Sequence, residues 1–505
     1  MASVLGEEKS TKGQSDTDGQ ELGLSPSGRR VVARQDDAPY DEVFGKVTDD
    51  GPNYRGLGWK GTVILMMKTQ IGLGVLSMPQ TFDNVGMIPG VLLLLAVAAI
   101  ATWTSWVVGM FKLNHPSVYG IDDAGYIMFG RVGREVLGTF FCLFWIFCGG
   151  SGILGASIAL NSISLHGTCT AVFVVIAAIA SGALASVRTL SKISWLAWAG
   201  MAFILAASKF ITLDSHLPLP LPPPSQQPSL TAYGRLPVLT VTISVGVQDR
   251  PTDAPPGPWK SDYRLFGDPT FAQGVSAVST FIFSCSAAPA YFAIVAEMRD
   301  PKKYTRSLII AQIGSTSIYL VIAVVIYYYC GSYVASPALG SAGPLVKRVA
   351  YGLSLPGLLI TTCIFLHLPA KYIFVRILRG SRHLSANTAV HWGTWLGCTV
   401  GTTLIAYLIA SGIPIFGDLV SLIGAFLGAS LGYQPPGFMW LYDNWKTDRR
   451  TWKWYTLVSW SVFLVVVGTF LTVGGTYGAV INIIKSLDAG GTSKPWACAD
   501  NSNSV

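Results

Sequence analysis

The sequence predicts an all-α polytopic membrane protein with about 11 transmembrane helices. Charged residues make up only 12% of the 505 positions, against roughly 25% in soluble domains. Apolar residues make up 51%, and the mean hydropathy is +0.47. Uncharged runs such as 84–111 and 136–187 exceed the roughly 20 residues that cross a bilayer. A soluble protein would spread charges through every helix, so the soluble class is excluded.

The apolar runs fall into two groups, separated by a long polar stretch. The first group comprises spans near 61–81, 87–111, 136–160, 169–187 and 193–213. The second comprises spans near 271–292, 308–332, 351–374, 388–411, 415–440 and 454–481. An odd total places the two termini on opposite faces of the membrane.

The basic residues favour a cytoplasmic N-terminus. In that orientation the inner loops carry most of the lysine and arginine, including Arg131, Arg188 and Lys302. The short outer loops hold only Lys347 and Arg348. Inner loops that face an anionic leaflet account for the net charge of +8, so we expect contact with the lipid bilayer and no nucleic-acid partner.

The chain divides into three parts. Residues 1–57 are polar, lack the apolar core of a signal peptide and are predicted to form a disordered cytoplasmic tail. Residues 58–484 form the predicted transmembrane domain, with a proline-rich extracellular loop or insert at 213–270. Residues 485–505 form a short C-terminal tail.

The cysteines and histidines do not predict an enzyme or a metalloprotein. The eight cysteines are scattered and never form Cys-x-x-Cys, so they predict neither a zinc site nor a disulfide framework. The six histidines do not cluster with the acidic or thiol groups that a membrane enzyme would need. We therefore expect no metal and no cofactor.

The first span is interrupted by glycine. Gly72 and Gly74 lie two residues apart in the segment 68–79, which ends at Pro79. Glycine lets the chain leave helical geometry and proline removes a backbone donor, so the freed polar groups need a partner at membrane depth. A bound solute is one such partner. A kink, or a close helix contact through small residues, is the alternative.

The sixth span contains a second candidate break. Phe283 to Pro289 is a run of small and hydroxyl residues that ends in proline within an apolar segment. Breaks in spans one and six are typical of transporters built from two inverted five-span halves, whose half-helix ends face one central site. The sequence therefore predicts a 5+5 inverted repeat with one extra C-terminal helix. Two broken spans favour alternating access over a channel. A solute sensor with the same fold is the alternative that the sequence does not exclude.

The two breaks together suit a zwitterion. Amides at the start of the second half-helix suit a carboxylate, and unwound carbonyls at 284–288 suit an ammonium group. We predict an α-amino acid substrate. Its predicted binding residues are Thr69, Gly72, Leu73, Gly74, Phe283, Ser284 and Ser286. Phe283 either closes a gate or packs as a core aromatic.

Four polar side chains within the spans are candidates for ion coupling. Lys68 precedes the first break by about one turn, where it could replace a coupling sodium or titrate, unless it snorkels to the inner interface. His367 titrates in the range for proton coupling, although a lone membrane histidine also serves as a packing residue. Thr361 and Thr362 could ligate a cation or bond back to their own helix.

Two acidic residues lie near span ends. Glu297 follows the inner end of span six among basic neighbours, so it predicts a salt-bridged inner gate or loop anchor. Asp418 lies near the outer end of span ten, where it is either a gate partner or an interfacial residue.

The stretch Gly58 to Pro79, which reads GWKGTVILMMKTQIGLGVLSMP, resembles the opening of the amino acid/auxin permease family in its fungal branch. The similarity continues through Ala290 to Lys303 and the last spans to Trp445. It is strongest to the neutral amino acid permeases of this family, within the amino acid/polyamine/organocation superfamily. This resemblance implies a leucine-transporter-like fold that imports neutral aliphatic and aromatic amino acids, with a co-transported proton rather than sodium. We expect a multi-pass protein of the plasma membrane, with a vacuolar exporter or exchanger as the alternative.

The chain departs from the family pattern after Phe210. Residues 213–239 read as a proline-rich insert, and eleven prolines fall between Pro218 and Pro258. Such a composition stays extended. A long outer loop and a retained unspliced segment that shortens span five are both compatible with it.

Overall fold

The computed structural model describes residues 40–41, 45–46, 57–187, 251–446, 451–488 and 494–502. Within these ranges, short breaks lie at 252–253, 256, 258, 380, 382 and 385–387. In a separate N-terminal unit, β1 (Tyr40–Asp41) and β2 (Gly45–Lys46) form a short antiparallel hairpin. The rest of the predicted tail apart from Leu57, the predicted fifth span and the insert at 213–239 lie outside the described residues.

Helices form most of the described transmembrane domain. The first five are α1 (Trp59–Gln70), α2 (Leu73–Val85), α3 (Met87–Asn114), α4 (Ile121–Ser164) and α5 (Thr170–Ala185). The next four are α6 (Phe271–Cys285), α7 (Ala288–Ala296), α8 (Tyr304–Cys330) and α9 (Pro344–Leu378). The last three are α10 (Ala389–Gly412), α11 (Phe416–Asn444) and α12 (Trp452–Asp488). Short 3₁₀ turns lie at Pro301–Lys303, Gly331–Tyr333 and Ala338–Ser341.

These helices match the predicted spans. By length and composition, eight helices or helix pairs among the described residues could cross a membrane, and α1 with α2 forms a ninth span that bends by 48°. The shorter apolar helix α5 lies at the predicted fourth span. Every predicted span except the fifth therefore has a helix in the described residues, and the all-α polytopic fold is confirmed.

The sixth span, formed by α6 and α7, lies at the centre of the bundle. In the most apolar 18-residue stretch of this span, 89% is buried inside the protein. The corresponding share for α12, at the periphery, is 22%. α6 packs against α2 and against a π-helical turn of α11 at Ile423–Gly428. A solute site has to be enclosed by protein, so this span is well placed to contribute to one.

Two hydrophobic clusters hold the spans in place. In the first, α4 packs along α9, and the ring of Trp145 lies 5.4 Å from that of Phe365. In the second, Phe82 of α2 meets Phe281 of α6 edge to face at 6.0 Å. Gly130 has a φ of 67°, a left-handed conformation that suits glycine, and α4 bends there.

We name the two ends of the bundle inner and outer, after the predicted orientation. At the inner end, Leu57 bridges to Met298 in parallel, with its amide donating to the carbonyl of Glu297 at 3.1 Å. The Glu297 carboxylate pairs with Lys371 of α9 at 2.5 Å, and both side chains are buried. Glu297 therefore forms a salt bridge at the inner end, as predicted, and its partner lies on another helix rather than among the basic residues beside it in the sequence.

At the outer end, residues 259–270 fasten the α2–α3 turn to the end of α8. The amide of Met87 donates to the carbonyl of Arg264 at 2.9 Å. The amide of Gly267 donates to the carbonyl of Val85 at 3.0 Å. Asp262 accepts hydrogen bonds from the amide and hydroxyl of Ser332. Burial raises the pKa of Asp262, but these bonds outweigh it and leave the pKa below its usual value. This part of the predicted loop is therefore well bonded.

The C-terminal residues 494–502 lie across the outer end of the bundle. A disulfide joins Cys498 to Cys169, which precedes α5. The hydroxyl of Thr170 donates to the carbonyl of Ala499 at 2.6 Å, and the amide of Asn161 donates to Asn501 at 2.7 Å. The prediction that the cysteines form no disulfide was wrong. The two cysteines are 329 residues apart, so no local spacing indicates the pair.

Candidate functional site

The predicted break in the first span is present. α1 ends at Gln70, where the amide of Ile71 still donates to the carbonyl of Met67, and α2 begins at Leu73. Gly72 has extended backbone between them, with a φ of −172°. The first amides of α2 have no helical partner, as at any helix start, so they form a polar end at this point. Pro79 lies inside α2 and does not end it, which differs from the prediction.

The predicted break in the sixth span is present too. α6 ends at Cys285 and α7 begins at Ala288, with Ser286 and Ala287 between them. Pro289 sits at the start of α7, where its missing N–H costs no helical bond. The carbonyl of Ser284 accepts a hydrogen bond from the buried hydroxyl of Tyr319 at 3.0 Å.

The two breaks touch each other. A Cβ on Gly74 would lie 2.8 Å from the Cα of Ser284 and closer still to its hydroxyl. A Cβ on Gly72 would lie 2.7 Å from the Cγ2 of Thr361 on α9. The glycines are therefore needed for close approach rather than for a special φ. Four predicted site residues therefore form two neighbouring contacts, which join the start of α2 to α6 and to α9.

Lys68 also faces this place. Its side chain is fully buried, and its Nζ donates to the carbonyl of Gly357 on α9 at 3.3 Å. The hydroxyl of Thr361 donates to the same carbonyl at 2.9 Å. Lys68 thus points into the protein toward α9 and does not snorkel to the inner interface.

The other predicted substrate residues have different surroundings. Thr69 donates to the carbonyl of Met66 on its own helix. Ser286 donates to the carbonyl of Gly428 in the π-helical turn of α11, at 3.5 Å. Phe283 is buried and belongs to the first hydrophobic cluster. Leu73 is the first residue of α2, and only its backbone is described.

Two predicted coupling residues lie away from the break. Thr362 bonds back to Leu358 and faces Gly152 of α4, a different direction from its neighbour Thr361. His367 is fully buried, with its Nδ1 3.3 Å from the carbonyl of Ala185 and its ring against Trp395. The structure does not bring either side chain to the contact between the two breaks.

Two polar residues beside the break were not predicted. Gln70 is the last residue of α1, and its Nε2 lies 3.1 Å from the hydroxyl of Tyr291 on α7. Both side chains are buried, and the Oε1 of Gln70 has no hydrogen-bond partner in the part of the chain that the structure describes. The signal in the sequence was an uncharged amide next to the glycine pair, which a search for ionisable groups passes over.

A polar cavity of about 210 Å³ lies at the outer end, above the contact between the two breaks. Its lining includes Ser77 and Thr280. The hydroxyl of Ser77 donates to the carbonyl of Gly74 at 3.0 Å, and Thr280 accepts from Ser284 at the same distance. The cavity is therefore one hydrogen bond away from the two breaks.

Sequence and structure comparisons place these features among transporters. The family described as "Transmembrane amino acid transporter protein" matches residues 55–481. A "Transmembrane transporter" of Gibberella moniliformis is 32% identical over 469 residues, which is 92% of either chain. An "N amino acid transport system protein" of Neurospora crassa is 31% identical and covers 88% of this chain and 89% of its own. Mhp1, a nucleobase-cation-symport-1 family transporter solved in a closed conformation, matches in fold alone, with a TM-score of 0.53, 14% identity and coverage of 91% and 98%.

Proposed function

The chain belongs to the transmembrane amino acid transporter family, and on that premise we propose that it imports neutral amino acids by proton-coupled alternating access. Transport of amino acids, rather than an enzymatic reaction, follows from the family. The proposal adds the substrate range, the coupling ion and the direction. The observation that carries it is the contact between the two interrupted spans at Gly74 and Ser284.

The contact offers complementary groups to an α-amino acid. The first amides of α2 lie at the positive end of a helix dipole, which stabilises a carboxylate. The last carbonyls of α6 lie at a negative end, which stabilises an ammonium group. The sixth span has the largest buried share among the candidate spans in the described residues, and it packs against α2. Both interactions therefore act in a low dielectric.

A neutral side chain fits the surroundings of the break. The described buried residues near it include Gln70, Phe283 and Tyr291, none of which carries a charge. A cationic substrate side chain would lose hydration there without an ionic partner among these three, and the buried ammonium of Lys68 would repel it. An anionic side chain would compete with the carbonyl of Gly357 for that ammonium. Apolar and aromatic substrates would instead gain from burial.

The structure has the features of a state that is closed at the inner end. The buried pair of Glu297 and Lys371 and the Leu57–Met298 bridge hold this end together. The polar cavity reaches the surface at the outer end, where Gln80 is exposed. Alternating access then requires the inner contacts to open after the outer cavity closes.

Lys68 is the proposed coupling group. Its ammonium lies against α9 at Gly357, next to the contact between Gly72 and Thr361. Losing its proton would remove a buried charge and weaken the link between the first span and α9. Proton gain and loss at this amine would thus favour different arrangements of the two helices.

The disulfide supports the proposed orientation. Disulfides persist in oxidising compartments, so Cys169 and Cys498 are expected to face away from the cytosol. The N-terminus then faces the cytosol, as the basic loops also indicate. A cell surface and a vacuolar lumen both satisfy this condition, and we propose the plasma membrane.

The test is uptake of labelled leucine, phenylalanine, glutamate and arginine by proteoliposomes, with imposed proton or sodium gradients. The proposal expects saturable uptake of leucine and phenylalanine that rises with an inward proton gradient. Absence of saturable uptake would refute transport, and dependence on sodium without response to pH would refute proton coupling. Uptake that is equal for arginine and leucine would contradict neutral specificity. Uptake by intact cells but not by isolated vacuoles would support the plasma membrane.

A further inference from the structure

The cavity at the outer end is lined by polar faces of two spans. Ser77, Gln80, Thr81 and Asn84 lie at helical spacing on α2. They face a matching polar stripe on α6 that includes Thr280. Such a polar surface between transmembrane helices is costly unless water or a polar solute occupies the space.

Two other helices close the cavity and supply its charges. The start of α11 contributes Asp418, and α12 contributes Asn482, Lys485 and Ser486. Among the lining residues, Asp418 is the only one with a carboxylate and Lys485 the only one with an ammonium group. Because α12 is the extra helix beyond the inverted repeat, the repeat alone does not provide both charges.

Asp418 is only partly satisfied by the protein. Its Oδ2 is buried and has no hydrogen-bond partner among the described residues, while its carboxylate lies within reach of the hydroxyl of Ser486. A buried carboxylate oxygen without a donor is unfavourable. A rotation of the Asp418 side chain toward the cavity, which this residue lines, would let the oxygen accept a bond from a solute. Lys485 is exposed at the mouth, where it can meet an anionic group that arrives from outside.

The size of the cavity selects a small solute. Its volume of about 210 Å³ lies below the roughly 300–1,000 Å³ of pockets for drug-sized ligands. One positive and one negative group in a space of this size match a single zwitterion. Ser77 and Thr280 lie about one helical turn from Gly74 and Ser284, to which they are linked by hydrogen bonds within α2 and α6.

We propose that this cavity is a second, outer binding site for the transported amino acid, with Asp418 accepting the ammonium group and Lys485 binding the carboxylate. The inference rests on the proposed function. The solute would bind here first and then pass inward along α2 and α6 to the breaks. The outer site would bind a zwitterion through both charges but an amine or a carboxylic acid through only one. Zwitterions would therefore be concentrated near the breaks in preference to these singly charged solutes.

The experiment compares three ligands that differ by one charged group: leucine, leucinol, which lacks the carboxylate, and 4-methylpentanoate, which lacks the amine. Inhibition of labelled leucine uptake gives an apparent affinity for each in proteoliposomes with wild type, Asp418→Asn or Lys485→Gln. Matched controls are Asp488→Asn and Lys494→Gln, which change the same residue types at exposed positions outside the cavity.

Each cavity variant is expected to weaken leucine about tenfold, the factor for one lost charge-assisted hydrogen bond. Asp418→Asn should leave 4-methylpentanoate unchanged, and Lys485→Gln should leave leucinol unchanged, because each ligand lacks the group that the lost charge would bind. Asp418→Glu and Lys485→Arg retain the charge and should retain most of the affinity. These variants separate a lost contact from a misfolded protein.

Equal weakening of all three ligands, or leucine affinity that matches the controls in both variants, would overturn the outer site. These results leave leucine uptake by the wild type intact, so they contradict this inference alone. A wild type that fails to take up leucine contradicts the proposed function instead, and the outer site with it.

Discussion

Gly72→Ala is the most direct test of the contact between the first span and α9. The new methyl would lie 2.7 Å from the Cγ2 of Thr361, whereas two carbon atoms prefer about 3.5–4.0 Å. The φ of −172° is open to alanine, so the expected effect comes from crowding alone. Overpacking of this kind costs about 1–3 kcal/mol, which would lower the population of the correctly packed state between about fivefold and 150-fold.

Leucine uptake by proteoliposomes that contain equal amounts of folded protein measures this loss. Gly401→Ala is the matched control, because a Cβ at that position of α10 meets nothing within 4 Å. A second substitution, Thr361→Ser, removes the crowded methyl and keeps the hydroxyl. Gly72→Ala with Thr361→Ser should therefore recover much of the uptake that Gly72→Ala alone loses.

Two results would refute this reasoning. The first is uptake by Gly72→Ala equal to that of Gly401→Ala, since the contact would then have no importance for transport. The second is a double variant no better than Gly72→Ala, which would mean that something other than the Thr361 methyl opposes the alanine.

Three further perturbations test other parts of the structure. Lys68→Met keeps the volume but removes the buried charge, so uptake should lose its dependence on external pH; an unchanged pH profile would exclude Lys68 from coupling. Glu297→Gln and Lys371→Met should each lower the melting temperature in detergent, because breaking a buried ion pair costs about 3–5 kcal/mol. The melting temperature of the double variant should fall by less than the sum of the two single decreases. Strictly additive decreases would argue against a coupled pair. Cys498→Ser should speed chymotryptic cleavage after the exposed Trp496, seen by mass spectrometry, and equal cleavage of both proteins would mean that hydrogen bonds alone hold the tail.

The breaks in the first and sixth spans could be predicted because their causes are local. Glycine and proline change the backbone at their own positions, and a run such as 283–289 shows this in the sequence. The contact between the breaks followed from a general rule for inverted repeats. The placement of Pro79 inside α2 did not follow, since a proline's effect on a helix also depends on the packing around it.

The partners of the site residues could not be predicted, because they lie far apart in the chain. Lys68 and Gly357 are 289 residues apart. Thr361 and Thr362 are equivalent in sequence, but adjacent positions on a helix point about 100° apart. Only Thr361 consequently faces Gly72, and only tertiary packing decides which of the two does so. Gln70 was missed because its side chain carries no ionisable group, and a neutral amide within a span does not by itself indicate a functional site.

The Cys169–Cys498 bond makes most of the chain a covalent ring, which contains every helix from α5 to α12. One backbone cut within this ring, including one in the proline-rich residues 213–239, leaves a single molecule until a thiol reductant is added. Two cuts are needed to release a fragment. Gels without reductant would therefore report a nicked transporter as intact, and only the difference between reduced and unreduced samples would count the nicks.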